Sequence, residues 1–128
     1  MKLKDNKKLH EILEIYQWTD EFIGAIPTSV NARGNFGSLP IHIAAVRGDI
    51  DEIDTLLSHG ALINAKGEHG YTPLHESVEQ GHTAAVKLLL ERGADTAARN
   101  DDNLTPYDLA KLTHQQEILL LLEKHKSK

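Results

Sequence analysis

The chain has 128 residues, 40% hydrophobic and 26% charged, enough for one packed domain and too few for two of ordinary size. Fourteen Lys and Arg against 19 Asp and Glu give a formal net charge of -5, the opposite balance from a protein that grips nucleic acid. No cysteine is present, which excludes disulfides, thiol nucleophiles and cysteine-based metal sites and fits a cytoplasmic, reducing setting.

The basic start, MKLKDNKKLH, runs into no leader-type apolar stretch. The longest apolar run, Ile118 to Leu122, is far short of the ~20 residues that cross a bilayer, so the chain reads as soluble, uncleaved and without a membrane partner. Leu9, Ile12, Leu13 and Tyr16, followed by Phe22 and Ile23, form one apolar helical stripe suited to covering the end of a stack. Trp18, beside Tyr16 and Phe22, is expected to be buried with them. Val30-Asn31-Ala32-Arg33-Gly34 lies 33 residues before Ile63-Asn64-Ala65-Lys66-Gly67, which makes residues 1–33 a degenerate copy of the later units.

Two full copies come next, at 34–66 and 67–99, followed by a shorter one at 100–125. GSLPIHIAAVRGDIDEIDTLLSHGALINAKGEH from Gly37 is answered, 33 residues on, by GYTPLHESVEQGHTAAVKLLLERGADTAARNDD from Gly70, and then by NLTPYDLAKLTHQQEILLLLEKH from Asn103. Thr72 and Thr105 each precede a proline, the pattern of an N-cap followed by a residue tolerated at the first helical position. Leu39 replaces that threonine in the first copy, which predicts a weaker start to its helix. Gly48 and Gly81 end the first helix, and Ile53, Leu56 and Leu57, or Val86, Leu89 and Leu90, recur at helical spacing in a second. Gly60 and Gly93 stop the second helix, and Gly67–Tyr71 and Asn100–Asn103 are rich in turn formers.

Thr72-Pro73-Leu74-His75, Gly81-His82, Leu88-Leu89-Leu90 and Gly93-Ala94-Asp95, in this order and spacing, resemble an ankyrin repeat. The resemblance implies an all-α solenoid of about four stacked helix-turn-helix units, forming one domain over 1–128. It also implies that His42 and His75 hydrogen-bond within their turns and order neighbouring repeats. Asp108 at that histidine position, Lys111 at a usually buried alanine and His114 at the glycine suit an end unit whose outer face meets water.

Catalytic and metal-binding patterns do not assemble. His75-Glu76-Ser77-Val78-Glu79 opens like a zinc-protease helix but has glutamate in place of the second histidine. Asn100-Asp101-Asp102-Asn103 lacks the alternation, glycine and terminal glutamate of a calcium loop, and Ser38, Ser58 and Ser77 have no nucleophile context. The expectation is a protein that is not an enzyme, with no catalytic or metal site, no cofactor and no small-molecule substrate.

By position, the resemblance places a partner-binding concave face on the loop tips and the exposed side of each first helix. From the first full repeat come Arg33, Asn35, Phe36, Ser38, Val46 and Arg47; from the second, Lys66, Glu68, His69, Tyr71, Glu79 and Gln80. The last repeat adds Arg99, Asp101, Asp102, Leu104, Leu112 and Thr113. Phe36, Tyr71, Arg47 and Arg99 are the leading hot-spot candidates. Seven lysines (Lys2, Lys4, Lys7, Lys8, Lys124, Lys126 and Lys128) sit at the two ends, so residues 9–123 carry a net charge of -11 and favour a protein partner with a basic surface. With repeats filling the chain, binding is expected to be the activity itself. Small acidic ankyrin-like proteins resemble immunity proteins that neutralise a cognate bacterial toxin; the alternative is an adaptor or stabilising accessory of an intracellular enzyme.

Overall fold

Three helices begin where a proline follows a residue of extended backbone. In the computed structural model, which describes residues 2–126 and the side chains of 7–125, these are α2 (Pro40–Arg47), α4 (Pro73–Glu79) and α6 (Pro106–Leu112). Thr72 Oγ1 accepts from the His75 backbone N–H (3.3 Å), while His75 Nδ1 accepts from the Thr72 N–H (3.1 Å). Thr105 and Asp108 repeat the exchange at 3.2 and 3.0 Å. Leu39 has no side-chain acceptor, yet α2 starts in register because His42 Nδ1 still takes the Leu39 N–H (3.0 Å) and the leucine itself is 2% exposed in the core. Packing there replaces half of the cap.

Each of these helices turns into an antiparallel partner: α3 (Ile50–Ser58), α5 (Thr83–Glu91) and α7 (Gln116–Lys126). The turn position is held by Gly48 (φ 68°), Gly81 (φ 74°) and, in the last unit, His114 (φ 56°), so all three repeats keep the left-handed backbone although only two have the residue that adopts it without strain. α2, α4 and α6 lie side by side as an inner layer, and α3, α5 and α7 form an outer one. Among the described residues there is no strand. The core runs between the layers through Ile41, Leu74, Ile53, Leu56, Leu89, Ile118 and Leu122, each at most 2% exposed. Each such side chain contributes about 1.5–3 kcal/mol by burial.

The N-terminal cap departs from the expected stripe. α1 (Lys2–Tyr16) packs mainly on α3, burying Ile12, Leu13 and Tyr16, but the helix stops there and residues 17–24 reverse direction in turns, with the Gly24 N–H bonded to the Gln17 carbonyl (3.0 Å). Helical spacing therefore fails beyond Tyr16. Phe22 is buried from a turn, whereas Ile23 is 69% exposed and Trp18, expected in the core, is 79% exposed. The cap is fastened by a buried polar group instead. Glu52 accepts from the Tyr16 hydroxyl (2.6 Å) and from Arg47 Nε (2.9 Å) and Nη2 (3.1 Å). Burial and the adjoining carboxylate push the Tyr16 phenol far above its ordinary range. Of the seven terminal lysines, Lys2, Lys4, Lys126 and Lys128 fall outside the residues whose side chains are described.

Candidate protein-binding face

The loops before α2, α4 and α6 and the ends of these helices form one continuous row, because each unit repeats the same backbone. Asn35, Phe36, Val46 and Arg47 are exposed in the first repeat, as are Glu68, His69, Glu79 and Gln80 in the second and Asp101, Asp102, Leu112 and Thr113 in the third. Phe36 (56%) and Leu112 (64%) are the large apolar side chains standing furthest out of this row. Tyr71 and Leu104 are half-buried, packed on the core at one edge. Tyr71 also donates its hydroxyl to Glu79 and lies 5.4 Å, centroid to centroid, from the His75 ring. Desolvation and Glu79 raise its pKa.

Several residues expected to face a partner are committed within the chain. Ser38 is 4% exposed, and its Oγ accepts from the Glu68 N–H (3.1 Å), so its hydroxyl joins two loops and presents little surface to a partner. Arg33 and Lys66 are exposed but form a ladder: Arg33 Nη1 donates to the Lys66 carbonyl (3.0 Å) and Lys66 Nζ to the Arg99 carbonyl (2.8 Å). Arg99 donates within its own loop, to the Asn103 carbonyl (2.9 Å). Arg47 holds buried Glu52 through two bonds, which weakens its case as a hot spot. The basic residues at 33, 66 and 99 stand one period apart, so this ladder had a sequence signal.

The histidines of the turns are structural. His42 Nε2 reaches the carbonyls of Ala65 (2.8 Å) and Tyr71 (3.0 Å), and His75 Nε2 that of Leu104 (2.9 Å), so each ring spans from one repeat to the next loop. Because Nδ1 accepts in both, the proton is assigned to Nε2, and burial holds both imidazoles below their ordinary pKa. His82 Nε2 similarly binds the Val46 carbonyl (2.7 Å). Among the described residues no group of three His, Asp or Glu side chains is placed to hold a metal ion. No described helix is long and apolar enough to cross a membrane.

One feature that the repeat pattern did not predict is a cavity of about 260 Å³ at the N-terminal end of the face, between the cap turns, α2 and α4. Glu21, Glu68 and Glu76 line it together with Ile43 and Val46. Glu76 occupies the position of Ile43 and Leu109 in the flanking repeats, and this charge at an apolar repeat position was its sequence signal. Desolvation first, then Glu79, Glu68 and Glu21, push its carboxyl up to about 7.

Comparison with known proteins agrees with this architecture. The family described as ankyrin repeats (3 copies) matches residues 6–100 and 69–128. A search of curated proteins finds no match. A solenoid of this family is a protein–protein interaction module, in keeping with the row of exposed side chains that the core does not use. From stacked layers, repeat-spanning histidines and matched sequence together, the chain belongs to the ankyrin-repeat family.

Proposed function

We propose that this protein binds a partner protein with a basic surface through its concave face and acts by covering that partner, as an immunity protein covers a toxin. The observation that carries the reading is the charge of the chain between its basic ends: residues 9–123 carry a net charge of -11, and Glu68, Glu79, Asp101 and Asp102 stand exposed on the row. The overall negative charge favours a basic partner, and the exposed apolar Phe36 and Leu112 on the row would anchor it. Binding is the whole activity, with no catalytic step, and the cysteine-free composition supports a cytoplasmic setting.

The test uses the purified protein as bait for lysate of its native source, with washes at low and then high salt, beside a Phe36→Ala, Glu79→Lys variant. A single basic protein, released by high salt, missing from the variant lane and inactive in the reconstituted complex, is the expected result. Equal capture by the variant would remove the concave face from the reading. A partner that stays active and becomes harder to unfold would make the protein a stabilising accessory.

A further inference from the structure

α4 rests against α2, and α6 against α4, but on the other side of α2 the cap supplies turns (17–24) where a further inner helix would lie. The missing helix leaves the 260 Å³ cavity, floored by Ile43 and Val46 and walled by Glu21, Glu68 and Glu76. Of the three carboxylates only Glu68 has a basic side chain paired with it among the described residues, exposed His69, whose Nε2 lies 3.4 Å from Oε1. Arg47, also at the rim, is held by Glu52, and His42 is neutral with both ring nitrogens engaged. Glu21 is 8% exposed and fixed by one bond, from the Phe36 N–H to Oε2 (2.9 Å). Glu76 makes no side-chain hydrogen bond or ion pair with the described residues, and an apolar side chain at its position would pack, as Ile43 and Leu109 do, without that cost. A half-buried carboxylate kept against two like charges is explained when its counter-charge arrives from outside.

We infer that this cavity receives a lysine or arginine side chain of the partner protein, its aliphatic stem on Ile43 and Val46 and its cationic head among Glu21, Glu68 and Glu76. The inference rests on the concave-face reading and names what the partner inserts. Among the described residues no carboxylates are grouped to hold a metal ion, and a side chain with a long aliphatic stem and several N–H donors suits separate carboxylates beside an apolar floor.

The test is a titration of the ¹⁵N-labelled full chain with N-acetyl-arginine amide and N-acetyl-lysine amide at low salt, with N-acetyl-norleucine amide as the uncharged control. One or both cationic amides are expected to give saturable shifts at the backbone amides of Glu21, Phe36, Ile43, Glu68 and Glu76. Glu76→Gln should weaken this binding about fivefold or more, whereas Glu91→Gln on the outer helix α5 leaves it unchanged. Equal shifts with the norleucine probe, shifts centred on residues 100–103, or binding indifferent to Glu76→Gln would overturn the inference. A captured partner whose complex tolerates Glu76→Gln but not Phe36→Ala would overturn it while leaving the concave face intact; tolerance of both would remove the face itself.

Discussion

Glu76 shows how a single side chain can carry a conflict between stability and binding. Its carboxyl titrates at about 7 in the folded chain and near 4.5 when unfolded, so between these values the native state keeps a proton that the unfolded chain has released. Its contribution to stability therefore falls as pH rises from about 4.5 to 7. Glu76→Gln is expected to remove that fall and to stabilise the protein at pH 8 by about 1 to 3 kcal/mol, measured by urea unfolding across pH. His42 and His75 act in the other direction: their depressed pKa values mean that stability is lost as pH drops below 6.5. A second residue-scale contrast separates core from surface. Leu89, with no exposed surface, should cost ~2 to 5 kcal/mol when changed to Ala, whereas Phe36→Ala should leave thermal unfolding nearly unchanged and weaken partner binding.

At the scale of elements, the helix ends of the central repeats follow from local chemistry, which is why they were legible. Thr72-Pro73 begins α4, Gly81 turns the chain, and Gly93 ends the unit at φ 89° with open space where a Cβ would stand. Gly93→Val is thus expected to destabilise through backbone strain alone, by about 1 to 2 kcal/mol in thermal unfolding, and Gly93→Asn by less because asparagine tolerates that conformation better. The cap was less legible. Leu9 to Tyr16 carries a helical stripe with no stop signal after it, and Phe22 and Ile23 extend the stripe on paper although the chain has already reversed at residues 17–24. Trp18 and Ile23 are exposed for that reason. The site was legible as a row, because one period transfers position from repeat to repeat, but not as a set of free side chains. Whether the polar end of Ser38 or Lys66 is left free depends on what the loop of the next repeat offers it, here the Glu68 N–H and the Arg99 carbonyl.

For the molecule as a whole, the residues between the basic ends carry a net charge of -11. Association with the partner is accordingly expected to slow about tenfold or more between ~0.05 and ~0.5 M salt in stopped-flow mixing, with a smaller change in dissociation. A salt-independent on-rate would show that the partner is not steered by charge. The loop ladder has a further consequence, which is mechanical. Each rung joins only one loop to the next, Arg33 to the Lys66 carbonyl and Lys66 to the Arg99 carbonyl, so peeling loops away from one end loads the rungs in sequence. Shearing the whole row of loops against its neighbours would load them together. The solenoid is therefore expected to be an anisotropic material: compliant to tweezers that peel it from an end, with small successive force peaks, and stiffer when the same chain is sheared across its repeats.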